Sequence, residues 1–332
     1  MTTVHDPAAP AASRPPFATT RAPGHVVVSD VPDATCRIDR ERDFSGCTGL
    51  PRAGAAWLGS RRMERDDAAL TGQGIDLDRP NPARMYDYYL GGAHNFAPDR
   101  ALAEQALSVM PWMREAVRAN RAFLGRAVRY CFDQGIRQFL DLGSGIPTVG
   151  NVHEIAQTLD PRSRVAYVDN EAVAVAHSTQ ILRDNPNASI TRADLTDSAT
   201  VLSAPTVTEL IDFSQPVAVL AVAVLHFLPD ERDPASVVQA YRAAMAPGSY
   251  VVLSHVTSDH DPEEAANAKN VYQRSANPVH TRTHAEITAL LRGFDLVEPG
   301  LVDATRWRPD ESAEFGENIE HAGFYAAVGK IG

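Results

Sequence analysis

The sequence predicts an α/β protein built on a doubly wound, mostly parallel sheet, and three observations carry that expectation. From about residue 137 onward, short apolar runs alternate with helical patterns long enough to be crossover connections. The run VAVLAVAVL, residues 217–225, is nine apolar residues without a break, as in a central strand covered on both faces. The earliest of these runs, QFLDL, empties into a glycine turn, DLGSGIP, and the carboxyl ends of such strands are where open α/β sheets bind ligands.

Residues 1–70 are rich in Ala, Pro, Arg and Ser and have no sustained apolar period. A stretch such as DPAAPAASRPPFATTRAPG cannot bury enough surface to offset the entropy of ordering it, so a disordered tail is expected, with Met63 as an alternative start. Residues 71–135 read as an N-terminal helical cap. In DRPNPARMYDYYLGGAHNF two prolines favour opening a helix, and a short aromatic helix over 83–90 ends at Gly91-Gly92. Helical patterns over 97–109 and 111–134 follow, divided by Pro111.

Residues 136–332 supply the sheet domain. Strands are expected at 138–142, 164–168, 189–193, 217–225 and 250–255, with helices over 151–159, 171–184, 198–211 and 233–246 between them. THAEITALLRGF is a helix opened by a capping box, Thr283 with Glu286, and stopped by Gly293. DLVEPGLV and GFYAAVGK read as two final antiparallel strands, giving a seven-stranded, Rossmann-like sheet in all.

Composition narrows the chemistry. The net charge is −11, and residues 1–62 carry about +2 of it, so the remainder carries about −13. A folded part that acidic disfavours nucleic acid as a partner. Nine apolar residues are far too few to span a bilayer, and no signal-peptide pattern opens the chain, so a cytoplasmic protein without membrane contact is expected. Cys36, Cys47 and Cys131 form no C-x-x-C pair, which speaks for free thiols. The two lysines, Lys269 and Lys330, lie far from the glycine turn, which takes most of the weight from the P-loop, kinase and pyridoxal readings. His255, Asp259, His260 and Asp261 are metal-ligand types without a recognised spacing, so no metal is expected.

Two phosphate- or acyl-directed readings of the turn fail on spacing. A dinucleotide fingerprint needs a third glycine at 148, where Thr stands. A serine-hydrolase elbow needs glycines flanking Ser144 at two residues' distance, where Leu142 and Ile146 stand. A ligand without phosphates, S-adenosylmethionine, fits better. It presents an ammonium, a cationic sulfur and ribose hydroxyls, all of which suit carboxylates. Asp141, Asp169 and Asp194 each end one of three successive strands at the binding edge. One strand-ending Asp says little, because Asp commonly caps and turns; three beside a glycine turn say more.

LDLGSGIPT, YVDN and ADL resemble the first three motifs of class I S-adenosylmethionine-dependent methyltransferases. With YDYYLGGAHNF upstream, and PGLV and WRPD downstream, residues 74–332 are similar to the actinobacterial S-adenosyl methyltransferase family of DUF574 type. The resemblance implies a cofactor and roles for residues. Gly143, Ser144 and Gly145 would lie against the amino acid end of S-adenosylmethionine, and Asp141 would help hold its ammonium. Asp169, with Asn170, would meet the ribose, and Asp194 and Leu195 the adenine. Val224, Leu225 and His226 would border the methyl group.

Three segments should reach the same edge of the sheet: the aromatic helix with GGAHNF, residues 255–282, and WRPDESAEFGENIEHAG. From them, Arg84, Tyr88 and Asn95 are expected to close over the cofactor, and Tyr272, Arg282 and Trp307 to meet the acceptor. His226 is the candidate general base, since an imidazole can take a proton near neutral pH. The expected activity is methyl transfer to a small-molecule acceptor. A binding protein without catalysis and an NAD(P)-dependent oxidoreductase stand as alternatives, and the oligomeric state is open.

Overall fold

The computed structural model describes residues 76–147, 150–309 and 323–332. The expected tail over 1–70, Met63 within it, the first residues of the expected cap and most of WRPDESAEFGENIEHAG lie outside the described residues.

Among the described residues three helices precede the sheet, over the range expected for the cap. α1 spans Pro82–Leu90, α2 Ala97–Val109 and α3 Met113–Asp133. Asn81 caps α1 by accepting the Ala83 N–H, Pro82 takes the first helical position, and Gly91 closes the helix in a left-handed conformation. The segment that follows is a compact knot. The Asp87 carboxylate accepts the backbone N–H of His94 and the Asn95 amide at 2.9 and 2.8 Å. Gly92 passes so close that a Cβ there would lie 2.0 Å from Asp87 Oδ1. Gly92→Ala must therefore displace a carboxylate that organises the loop, and we expect a loss of about 1–3 kcal/mol, the range for overpacking. An unchanged denaturant midpoint for this variant would sink the expectation.

Among the described residues eight strands form one sheet: β1 Gln138–Leu142, β2 Arg164–Asp169, β3 Ala188–Arg192, β4 Ala218–Val222, β5 Tyr250–Val256, β6 Asp295–Leu296, β7 Val302–Asp303 and β8 Phe324–Lys330. Their order is β3-β2-β1-β4-β5-β8-β6, with β7 also on β8. The first five are parallel, and β8 runs antiparallel between β5 and the β6/β7 edge. The expected sixth strand, DLVEPGLV, is thus present in two pieces, because Pro299 and Gly300 (φ 88°) turn the chain between them. The reversal of strand order falls between β1 and β4, and it places a ligand crevice above their carboxyl ends.

The connecting helices are α4 Val152–Leu159, α5 Ala172–Ile181, α6 Ser198–Ser203, α7 Pro205–Thr208, α8 Pro234–Ala244, α9 Pro262–Tyr272 and α10 His284–Leu290. Pro205 divides the single helix expected over 198–211 into α6 and α7. Strand side chains alternate strictly between the two faces. Leu140, Val219, Ala221, Val251 and Leu253 pack toward α8 and α10, while Phe139, Ala218, Leu220 and Val252 pack toward α3 and α4. Asp141 has the parity of Phe139 and so points toward α3. The run VAVLAVAVL outlasts its strand. β4 ends at Val222, Ala223 takes φ 54°, and a single 3₁₀ turn, Leu225–Phe227, follows.

Candidate functional site

The glycine turn is bound to the end of β2. Val168 C=O accepts the N–H groups of Gly143 and Ser144 at 2.8 and 3.2 Å, and Asp169 Oδ2 accepts that of Gly145 at 2.7 Å. Asp169 Oδ1 takes the Glu171 N–H at 2.8 Å. Gly143 sits at φ 70°, and a Cβ there would lie 2.2 Å from Val224 Cγ2, so the turn is pressed against the loop leaving β4. Ser144 Oγ is buried and has no hydrogen-bond partner among the described residues.

A cavity of about 450 Å³ opens on this turn. Of the residues expected at the cofactor, Asp141, Gly143, Ser144, Gly145, Asp169 and Asn170 line its inner end. Asp194, Leu195 and Val224 line it as well, together with His226 and Tyr272. The others do not reach it. Leu225 is a core residue, 1% exposed.

Arg84 is buried in ion pairs with Asp99 and Glu171, both at 2.9 Å. Tyr88 lies on the outer side of α1, bonded to Glu104 with Arg114 over its ring. Asn95 is spent on Asp87 and Gly92. The α1 residues that do face the cavity are Pro82, Ala83, Tyr86 and Tyr89, one helical stripe that excludes positions 84 and 88. Arg282 bonds Leu225 C=O, Leu228 C=O, His255 and Asp230, which fastens the β4 loop from behind. Trp307 is fully buried, edge-on to Phe123 and Tyr130, with Arg126 bonded to its carbonyl.

The inner end is an anionic pocket kept from water. Burial pushes the Asp141 carboxyl up to about 7, against the pull of Arg121 and with a further push from Asp169. Burial likewise raises Asp169 to about 6, although the N–H groups of Glu171 and Gly145 favour its ionised form. A buried cation would relieve both. Asp194 is different. Burial opposes its charge, but hydrogen bonds from Thr196 and Arg232 prevail and hold it below the usual carboxylate range. Burial, reinforced by His255, Arg282 and His280, drives His226 far below the usual imidazole range, so its ring is neutral.

Sequence reasoning missed Arg121, Asn120, Trp112 and Tyr86. Met113, Val117, Asn120, Arg121 and Leu124 make one stripe of α3 that lines the cavity, and an Asn-Arg pair breaking an otherwise apolar stripe was the available signal. Arg121 donates to Asn151 Oδ1 at 3.0 Å, at the start of α4. The cavity's inner end therefore offers a buried carboxylate and a guanidinium to an α-amino acid group, and two glycines to let it close in.

No curated protein matches the chain. A DUF574 family protein of Streptomyces avermitilis MA-4680 is 36% identical, with a TM-score of 0.75 over 78% of this chain and 100% of that one. A protein of Thermobifida fusca YX described as a candidate methyltransferase is 39% identical, with a TM-score of 0.73 over 78% of this chain and 97% of that one. The sequence family described as S-adenosyl methyltransferase matches residues 68–332. With that match over most of its length, the chain belongs to the S-adenosyl methyltransferase family and is an S-adenosylmethionine-dependent methyltransferase.

Proposed function

We propose that the chain methylates a small molecule seated in the outer part of the cavity, beside His226. The observation that carries the reading is the pair of buried carboxylates, Asp141 and Asp169, at a glycine turn with Arg121 opposite. Asp141 would take the ammonium of S-adenosylmethionine, Arg121 its carboxylate and Asp169 its ribose hydroxyls. Gly143 and Gly145 leave room for its chain, Ser144 Oγ offers it a hydrogen bond, and Leu195 and Asn170 flank its base. When bound, the cofactor supplies a methyl group on a cationic sulfur. The protein's part is then to align the acceptor, keep water out and receive a proton. A dinucleotide fits less well, since its pyrophosphate would face Asp141.

The test is calorimetric titration with S-adenosylhomocysteine, 5′-methylthioadenosine and NAD. Only the first has the amino acid end. For wild type we expect tight binding of the first, weaker binding of the second and little of NAD. Arg121→Gln should weaken S-adenosylhomocysteine roughly tenfold, by about 1.5 kcal/mol, and leave methylthioadenosine unchanged. Equal losses for both ligands would remove Arg121 from the carboxylate.

The raised carboxyl of Asp141 also fixes a pH dependence. Its ordinary value is 3.8 and its folded value about 7. A cationic ammonium needs the ionised form, so affinity is full above pH 7 and falls as pH drops through it, approaching tenfold per unit. In the ligand-free protein the sign is opposite. Ionising a group whose folded value is raised costs stability, so stability falls as pH rises from about 4 to about 7, and ligand restores it. The thermal shift given by S-adenosylhomocysteine should therefore be larger at pH 7.5 than at pH 5.5, below the range where the ligand's own amine deprotonates. A shift equal at both values would contradict the assignment of Asp141.

A further inference from the structure

We propose that the acceptor is an uncharged aromatic hydroxyl compound, held among the rings of α1, α3 and α9 with its hydroxyl turned to His226. The inference rests on the methyltransferase reading of the cavity and goes beyond it in naming the acceptor's chemistry.

The outer part of the cavity is walled by six aromatic residues: Tyr86, Tyr89, Trp112, Phe227, Tyr272 and Phe324. Their polar handles are already engaged. The hydroxyls of Tyr89 and Tyr272 are 3.1 Å apart and bond each other. Tyr86 donates to Val117 C=O at 3.2 Å and accepts from the Asn120 amide at 3.0 Å. The Trp112 indole N–H goes to Glu264 at 2.7 Å. What these residues can offer a guest is ring surface, which favours a flat aromatic partner in stacked or edge-on contact.

Charge limits the guest as well. Asp261 and Glu264 line the outer part of the cavity and repel an anion. Burial pushes the Tyr272 phenol up to about 12 and Tyr89 higher still, so neither adds charge. His226 lines the cavity and is 4% exposed. Among the described residues its Nδ1 has no hydrogen-bond partner, and a buried imidazole in that wall can pair with one matching group on the guest.

A hydroxyl fits that place and needs it. A phenol loses its proton near pH 10, so at neutral pH a base must take it as the bond forms. The acceptor oxygen bonds to the methyl carbon while the carbon–sulfur bond breaks, its electron pair staying on sulfur. The hydroxyl proton passes to the ring of His226 and from there to solvent. Since the surroundings disfavour imidazolium, the ring gives up the proton readily and is neutral again for the next turnover.

The test uses full-length protein saturated with S-adenosylhomocysteine, whose own binding is measured first. Failure at that stage would overturn the methyltransferase reading itself. The probes are 2-naphthol, 2-naphthylamine, 2-naphthoate and the saturated alcohol 2-decalol, followed by Trp fluorescence and calorimetry. We expect 2-naphthol to bind, with naphthoate and decalol weaker by roughly tenfold or more. Ala268→Trp, which fills the chamber from α9, should weaken 2-naphthol by at least roughly tenfold and leave S-adenosylhomocysteine unchanged; the milder Ala268→Leu covers the case in which the larger side chain misfolds. With S-adenosylmethionine, mass spectrometry should find the methyl ether. In His226→Ala its rate should be low at pH 7 and recover toward pH 10, where the phenol ionises unaided. Preference for naphthoate or decalol, preferred binding and N-methylation of the amine, or a His226→Ala rate with the wild-type pH profile would each overturn the proposal.

Discussion

Arg84→Met is expected to cost about 3–5 kcal/mol of folding stability, the range for breaking a buried ion pair by removing one partner. The guanidinium is 2% exposed and lies 2.9 Å from carboxylates that are 0% and 7% exposed. It also bonds the carbonyls of Asp76 and Arg79. Met fills similar space but leaves Asp99 and Glu171 buried without a counter-charge. Denaturant unfolding monitored at the tryptophans measures the loss. Adding Glu171→Gln to Arg84→Met should recover part of it, because one stranded charge is then gone. A loss below about 1 kcal/mol would mean that the carboxylates find water or other partners instead.

Asp169→Ala is expected to weaken S-adenosylhomocysteine binding about ten- to hundredfold, by about 1.5–3 kcal/mol, the range for hydrogen bonds to a charged group. The carboxylate would lose the ribose, and it already holds the N–H groups of Gly145 and Glu171. The substitution therefore orphans one buried and one part-buried donor as well, and we expect a stability cost of about 1–3 kcal/mol beside the binding loss. Calorimetry on the folded variant separates the two effects. Wild-type affinity would mean that the ribose lies elsewhere.

Much of the fold was legible because parallel α/β sheets write themselves plainly. QFLDL predicts β1 to the residue, since its apolar run is bounded by a charge on one side and a glycine turn on the other. The inner lining of the candidate cavity was also legible, as strand-ending carboxylates and glycines are local signals. The outer half was not. α9 has Ala268 and Tyr272 as its buried residues, so no apolar period marks it; its signs were Asp261 as a cap and Pro262 at the first position. Arg84 and Tyr88 looked like ligand contacts because their helix was expected to reach the binding edge, yet helical rotation turns them away from the cavity. Arg282 and Trp307 show the same limit. A large polar or aromatic side chain from an irregular segment can be a ligand contact or a brace, and only the tertiary partners decide.

The Asp99–Arg84–Glu171 chain joins the cap to the residue two positions after Asp169, which itself holds Gly145. Lifting α1 and α2 off the sheet would break the Arg84–Glu171 pair at the end of β2, so these helices and the sheet should melt in one cooperative transition. Amide protons of α1 and α2 should then exchange by the same global opening as those of β1 and β2. Ligand bound at the glycine turn would slow them together, although none of it touches α2.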